Sequence, residues 1–168
     1  MLLGVSLVAT VVLYAVLLAP LERVLSARGH GILAAELAFS PARFDQVVAD
    51  WGPAGVAAAA DQVWWDFLWI PAYCLTVASA LLLALPDPGR RSRPARAALL
   101  AVPLAGLCDA FENVGLLGAL LDSSAGLVVP VVGVLSTVKF AALAFAVTVL
   151  LTSLAGRLRG RAYASMTT

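Results

Sequence analysis

The chain has 168 residues, of which 62% are hydrophobic and 12% are charged, and its mean hydropathy is +0.97. Soluble domains carry about 25% charged residues, so this composition excludes an ordinary soluble protein and predicts an integral membrane protein. The net charge of +1 gives no bulk preference for or against an anionic partner, and the sequence contains no basic patch of the kind that binds nucleic acid. One lysine stands against ten arginines, and Ala and Leu are abundant, which is typical of a bacterial coding bias.

Residues 2–19 are continuously apolar and are followed by Pro20. No basic segment precedes them, and no small-residue cleavage site lies ahead of Leu21. This pattern favours a retained membrane helix over a cleaved signal peptide.

Residues 21–62 form the only long polar region, and they include a short amphipathic pattern. Ser40-Pro41 predicts a helix start, and Gly52-Pro53 predicts its end. Between them, apolar residues recur at helical spacing: Phe44, Val47, Val48 and Trp51. We expect this helix either to pack over the ends of the membrane helices or to act as a mobile lid.

The second predicted membrane helix covers residues 63–85 and begins with three tryptophans within six residues. Trp64, Trp65 and Trp69 are typical of an aromatic belt at the membrane interface. Asp66 lies among them, one turn into the apolar run, where it either reaches water or joins a polar site.

Two arginine clusters predict the orientation of the chain. The loop 86–96 holds four arginines and the segment 157–161 holds three, so seven of the eleven basic residues fall on one side. The positive-inside rule places both clusters and both termini in the cytoplasm, and region 21–62 outside, although Arg23 and Arg28 locally favour the opposite orientation. The predicted location is the bacterial cytoplasmic membrane.

The third predicted membrane helix, residues 97–121, carries the most informative polar residues. At about 1.5 Å per residue it is long enough to cross a hydrocarbon core of about 30 Å. Asp109, Glu112 and Asn113 share one helical face, whereas Phe111 points elsewhere. A charge at the bilayer centre costs about 2.5–3.5 kcal/mol, so this face should meet a partner or a cavity. Gly106 and Ala110 would allow a neighbouring helix to approach closely.

The fourth predicted membrane helix, residues 127–154, places Lys139 near the middle of the membrane, with Ser136 one turn away on the same face. Pairing of Lys139 with Asp109 or Glu112 would offset part of the cost of burying both charges. One lysine cannot neutralise Asp66, Asp109 and Glu112 together, so we expect at least one deep carboxyl to be protonated near neutral pH.

Other site chemistries have less support. Cys74 and Cys108 form no C-x-x-C pair, so we interpret them as small buried hydrophobic residues, although a pairing near mid-membrane stays open. His30 has no second histidine or cysteine beside it, and the acidic residues lack a second cluster of the kind that binds Mg²⁺, so no metal or other cofactor is predicted.

The motif D-F-x-W-I-P-x-Y at residues 66–73, D-x-x-E-N at residues 109–113 and a lysine on the last helix together resemble small four-helix integral membrane proteins of actinobacteria. The resemblance covers most of the chain. It implies that the family shares this polar set, and it implies no activity.

The predicted fold is an all-α, antiparallel four-helix membrane bundle, with short extracytoplasmic helical structure in region 21–62. The favoured function is an intramembrane pocket that binds a lipid-like or isoprenoid molecule and acts on it by general acid–base catalysis. Its predicted catalytic residues are Asp66, Asp109, Glu112 and Lys139, and its predicted ligand-binding residues are Trp69, Tyr73, Phe111, Asn113 and Ser136. The alternatives are a proton-coupled small transporter, a subunit of a larger complex or homo-oligomer, and a structural protein without a ligand.

Overall fold

The computed structural model describes residues 1–85, 92–121 and 125–166, with the side chains of Ala125 and of residues 160–166 excepted. It contains five helices, and no strand occurs in these ranges. They are α1 (Leu2–Ser26), α2 (Ile32–Glu36), α3 (Pro41–Ala84), α4 (Arg93–Leu121) and α5 (Ala125–Met166). Four of them are long and apolar enough to cross a membrane, which confirms the predicted all-α bundle of four membrane helices.

Helix α1 continues past Pro20, where the sequence predicts its end. A π-helical segment, Tyr14–Leu18, separates the α-helical segments Leu2–Leu13 and Ala19–Ser26, and Pro20 lies in the first turn of the second one. Proline lacks a backbone N–H and is tolerated in a first turn, so the local change in hydrogen-bond register lets the helix continue.

Helix α3 contains both the predicted amphipathic helix and the second membrane helix. Ser40 caps its first turn by accepting a hydrogen bond from the Arg43 backbone N–H at 3.3 Å. Gly52 then bends the chain with φ +61° and ψ −179°, a conformation that requires glycine. Helical structure resumes directly after this bend, about ten residues earlier than predicted, because the Ala-rich run 54–60 has high helix propensity.

The bend at Gly52 is held by the preceding loop. The Arg28 guanidinium donates to the Trp51 carbonyl oxygen at 2.9 Å, and the Trp51 indole N–H donates to the His30 carbonyl oxygen at 2.6 Å. The His30 imidazole also contacts the Asp50 carboxylate at 3.1 Å. Trp51 is fully buried in the apolar cluster beneath this loop, so region 21–62 forms a packed cap over one end of the bundle.

Helices α3, α4 and α5 pack against one another, whereas α1 contacts only α3 among the long helices of the described chain. Gly106 lies where α4 meets α3, and a Cβ atom added there would be 2.7 Å from the Cys74 sulfur. The close helix approach predicted at Gly106 is therefore present. Cys74 and Cys108 are both free thiols, the first half-buried and the second buried.

Helices α4 and α5 are longer than predicted. Helix α4 begins at Arg93, and the Ser92 hydroxyl accepts a hydrogen bond from the Ala95 backbone N–H at 3.4 Å near that end. Helix α5 continues to Met166, through the second arginine cluster. Residues 86–91 of the predicted cytoplasmic loop, and most of the predicted turn after α4, lie outside the described residues.

The orientation of the bundle stays a prediction that thiol labelling can test. After Cys74 and Cys108 are replaced by alanine, a cysteine at Ser92 should react with a membrane-impermeant reagent only from the cytoplasm, and one at Ser40 only from outside. Both serines are exposed, so accessibility is matched between the two sites. Labelling of Ser92→Cys in intact cells would reverse the orientation derived from the arginine clusters.

Candidate functional site

Lys139 is the centre of the polar cluster. Its ammonium donates to Asp109 Oδ1 and to Glu112 Oε1, both at 2.8 Å, and lies 3.4 Å from Glu36 Oε2. The predicted pairing of Lys139 with Asp109 or Glu112 is confirmed, and the structure shows that both carboxyls participate. A lysine ammonium has three N–H donors, and the Lys139 ammonium has three carboxyl neighbours.

The helices position this cluster through simple periodicity. Asp109 and Glu112 lie one turn apart on α4 and face α5, so both reach the same ammonium. Only 2% of Asp109, 0% of Glu112 and 6% of Lys139 is exposed. Removal of one partner would leave a buried charge without compensation, which is why the cluster matters for folding as well as for chemistry.

Glu36 is the third carboxyl of the cluster, and it is not among the site residues predicted from the sequence. Two contacts hold the α2 region against α5. The Ser136 hydroxyl donates to the Glu36 carbonyl oxygen at 3.1 Å, and Gly133 leaves room for the Phe39 ring, which would lie 2.7 Å from an added Cβ. The only sequence signal was an acid at the end of the short apolar helix Ile32–Glu36.

Glu36 also makes the stability of the protein depend on pH. Burial raises the pKa of its carboxyl above the usual 4.5, which outweighs the lowering by the Lys139 ammonium. The folded state therefore holds this proton more tightly than the unfolded state does. The contribution of Glu36 to stability is complete below pH 4.5 and is lost as the pH rises toward the raised pKa.

We expect the stability of Glu36→Gln to increase relative to that of the natural protein as the pH rises from about 4.5 to neutrality. The expected gain in the free energy of unfolding is about 1.4 kcal/mol for each pH unit over which only the folded natural protein keeps the Glu36 proton. Thermal midpoints of both proteins in detergent across this range measure the effect, and the exposed Asp61→Asn variant is the control. A difference between the Glu36→Gln and natural midpoints that does not change with pH would contradict the prediction.

A second layer of hydrogen bonds links α3 to the cluster. The Tyr73 hydroxyl donates to Asp109 Oδ2 at 2.8 Å, so both oxygens of that carboxyl are occupied. One turn further along α4, the Asn113 side-chain amide donates to Asp66 Oδ2 at 2.7 Å. Asp66 thus belongs to the polar network and does not simply reach the membrane surface, which the sequence left open.

These side chains lie at the wall of a cavity of about 380 Å³. The wall includes Tyr14 and Leu18 of α1 as well as Phe140 and Leu143 of α5. In the described chain no Cα atom of α1 lies within 8 Å of a Cα atom of α5, so the cavity lies where these two long apolar helices stay apart.

An aromatic row connects the cavity to a neighbouring groove. The Tyr14 and Trp69 rings have centroids 6.0 Å apart, and the Trp69 and Tyr73 rings have centroids 5.0 Å apart. The groove, about 330 Å³ in volume, shares Tyr14 and Trp69 with the cavity, and its exposed lining is apolar. Trp69 is fixed in this position because its indole N–H donates to the Thr10 carbonyl oxygen at 3.0 Å.

The structure brings six of the nine predicted site residues to the cavity wall: Asp66, Trp69, Tyr73, Asp109, Asn113 and Lys139. The other three lie elsewhere. Glu112 is enclosed behind Lys139, Ser136 is fully buried and bonded to backbone carbonyl oxygens, and Phe111 is 64% exposed on the outside of α4. The catalytic or ligand-binding role of each of the nine residues stays a prediction.

Glu22 and Gln62 also line the cavity, and neither was predicted as a site residue. Glu22 Oε2 accepts hydrogen bonds from the Ile32 backbone N–H at 3.1 Å and from the Gln62 side-chain amide at 3.3 Å. Glu22 lies in the part of α1 beyond Pro20, where the sequence predicted that the helix had already ended. Glu22 was not predicted as a site residue because the sequence places the end of the first helix too early.

The predicted absence of a metal site concerns Asp66, Asp109, Glu112 and Asn113, the oxygen-bearing residues of this region. Their observed partners are one another, the Tyr73 hydroxyl and the Lys139 ammonium. Within the described ranges, no group of three His, Cys, Asp or Glu side chains is arranged to hold a metal ion.

No protein-family model, curated protein or solved structure matches this chain. The chemistry of the site is therefore inferred from its own contacts, burial and charges.

Proposed function

We propose that the protein binds a lipid-like or isoprenoid molecule in the cavity between α1 and α5 and acts on it by general acid–base catalysis. The single observation that carries this proposal is the form of the cavity. Its wall holds carboxyls of the network, among them Asp66 and Asp109, and its open side would lie between two apolar helices that have no Cα atoms within 8 Å of each other. A molecule with an apolar chain can enter from the membrane without crossing a polar barrier.

The dimensions of the cavity agree with a small-molecule site. Its volume of about 380 Å³ lies in the range of roughly 300–1,000 Å³ found for ligand pockets. The adjoining apolar groove along Thr10, Val11 and Ala15 would accept a chain that continues past the aromatic row. The wall combines carboxyls and amides with apolar side chains such as Leu18 and Leu143, which would suit an amphiphile.

The contacts suggest different roles for the carboxyls. Asp66 Oδ2 is held by Asn113, whereas Asp66 Oδ1 has no hydrogen-bond partner in the described chain, so this oxygen is available to accept a proton from a bound molecule. Asp109 is fixed by Tyr73 and Lys139 and, in its protonated form, would donate a proton to the bound molecule, which balances the proton that Asp66 takes. Glu112 would act indirectly, by holding the Lys139 ammonium in place.

A proton-coupled transporter is the second function that the same acids suggest. A transporter needs polar access from both sides of the membrane. Beside the network, however, Leu81, Ala98, Val102 and Ala146 form a buried apolar cluster between α3, α4 and α5. This cluster favours a site that is open on one side, and hence a binding or catalytic function over transport. A partner subunit and a second copy of the chain remain alternatives to a ligand.

Retention of membrane lipids during purification tests the proposal. We expect a chain-bearing molecule to co-purify with the natural protein in mild detergent, and Leu143→Trp should displace it by filling the space between α1 and α5. Leu151→Trp is the matched control, because Leu151 lies two turns further along α5 and is 60% exposed on the outside. Mass spectrometry of extracted lipids measures the difference, and equal retention of every lipid species by the two variants would contradict the proposal.

A further inference from the structure

We propose that the molecule taken by the cavity carries a protonated amine as its polar head, at the end of its apolar chain. This inference rests on the proposed function, since it names the class of molecule that the same cavity recognises. The inference depends on which donors and acceptors of the cavity wall already have a hydrogen-bond partner in the protein, and on the charged groups of the wall.

The donors at the polar end of the cavity are occupied. The Lys139 ammonium faces Asp109, Glu112 and Glu36. The Tyr73 hydroxyl donates to Asp109. An ammonium that is enclosed by three carboxyls cannot also neutralise an anionic ligand.

The remaining side-chain donors of the wall follow the same pattern. The Asn113 amide uses one of its two N–H groups on Asp66, the Gln62 amide uses one of its two on Glu22, and the Trp69 indole donates to a backbone oxygen. Tyr14 is the exception, and its side chain is 49% exposed, at the rim. The charged and hydroxyl donors of the polar residues, Lys139 and Tyr73, are therefore committed to carboxyls, so a ligand with an anionic head would find no free cation among the described residues of the wall.

Unpaired acceptors, in contrast, remain at the wall. Gln62 is 8% exposed, and its Oε1 atom is buried without a hydrogen-bond partner in the described chain. Asp66 Oδ1 also has no partner there. A buried acceptor that is left without a donor is costly, so a ligand that brings N–H groups would satisfy atoms that the fold leaves open.

The charges of the wall favour a cation over a neutral donor. Four carboxyls line the cavity, from Glu22, Glu36, Asp66 and Asp109, against the single ammonium of Lys139. Glu36 and Asp109 face Lys139, whereas Glu22 and Asp66 form no ion pair in the described ranges. These two carboxyls, when ionised, would repel a phosphate or carboxylate head and attract an ammonium head. If the polar residues only joined the helices, one carboxyl for each ammonium would be sufficient, and the additional carboxyls would not be needed.

The aromatic row supplies a third contribution to the recognition of an amine. Trp69 and Tyr73 lie side by side at the wall near Asp66 and Asp109. Aromatic faces attract ammonium groups and pack well against the methylene groups next to them. The apolar chain would then leave along Leu18 and Leu143, between α1 and α5.

Photoreactive amphiphiles with one dodecyl chain and four different heads test the inference: a primary amine, a trimethylammonium, an alcohol and a phosphate, each with a diazirine at the chain end. The natural protein in phosphatidylcholine nanodiscs is labelled, and labelled peptides are quantified. Labelling of the lipid-exposed region around Leu151 normalises for partitioning of each probe. We expect the amine to label the cavity segments about tenfold more than the alcohol, the trimethylammonium to fall between them, and the phosphate to label least.

Two variants connect this preference to the wall. Asp66→Asn and Gln62→Leu should each lower amine labelling toward the level of the alcohol, and full amine preference in both variants would overturn the inference. Asp61→Asn is the control, because Asp61 is an exposed acid on the same helix. Loss of amine preference in Asp61→Asn to the same extent would overturn the assignment to the cavity wall.

The outcomes separate this inference from the function on which it rests. Equal labelling by amine and alcohol, labelling by trimethylammonium equal to that by amine, or strongest labelling by phosphate would each overturn the amine head and leave a lipid-like ligand in place. Cavity labelling by all four probes that Leu143→Trp does not reduce would overturn the proposed binding site itself.

Discussion

Replacement of Lys139 by methionine is expected to destabilise the protein by about 3–5 kcal/mol, the usual cost of removing one partner from a buried ion cluster. Methionine keeps the length and apolar contacts of the side chain but removes the ammonium that Asp109, Glu112 and Glu36 share. Three buried carboxyls then remain close together without a cation. Chemical or thermal unfolding of the purified protein in detergent measures the loss.

A second substitution should restore part of this stability. Glu112→Gln removes one acid from the cluster and keeps a hydrogen-bonding group, so the double variant should be more stable than Lys139→Met alone. Glu112→Gln by itself should cost little, because the acids of the cluster exceed its single lysine. Losses of stability that simply add in the double variant would show that the 2.8 Å contact between Lys139 and Glu112 carries no energetic coupling.

The centre of this cluster could be predicted from the sequence, because helical periodicity places Asp109 and Glu112 on one face and a depth argument brings Lys139 to the same level. The same periodicity explains Phe111. It lies two residues from Asp109, nearly on the opposite side of the helix, and the structure leaves it exposed on the outside. A ligand-binding role for Phe111 stays a prediction, and its ring does not line the cavity.

Glu36 could not be predicted in the same way. Its position depends on a chain reversal through the loop after α1 and on contacts such as Phe39 against Gly133, which link residues far apart in the sequence. Neither periodicity nor hydropathy contains that information. Glu22 was missed for a local reason, since Pro20 suggests a helix end, and the π-helical segment Tyr14–Leu18 that lets the helix continue has no simple sequence signal.

The cavity itself depends on the position of α1. The sequence predicts four membrane helices, but not which pairs of helices touch. The first helix packs on α3 alone among the long helices of the described chain, and the space that remains beside α5 becomes the cavity. A bundle in which α1 closed against α5 would contain the same carboxyls with no access from the membrane, and its acids would serve only to hold the helices together.

Asp109→Asn is expected to reduce proton transfer to a bound molecule by about a hundredfold or more, the usual contribution of a positioned acid or base. An amide can still accept a hydrogen bond from Lys139 and donate one toward Tyr73, so folding should be preserved, but it cannot exchange a proton. Membrane lipid extract incubated with the protein in heavy water provides the measurement. Acid–base catalysis introduces deuterium into carbon positions of the substrate lipid, which mass spectrometry detects.

Glu112→Gln is the matched control for that experiment, because Glu112 binds the same ammonium at the same distance as Asp109 but does not line the cavity. If the cavity is a working acid–base site, deuterium incorporation should fall far more in Asp109→Asn than in Glu112→Gln, at equal thermal stability. If the carboxyls only join helices, the two amide variants should behave alike in both assays. Equal incorporation by both variants and the natural protein would show that catalysis does not use Asp109, and absence of incorporation in all three would leave binding as the function of the cavity.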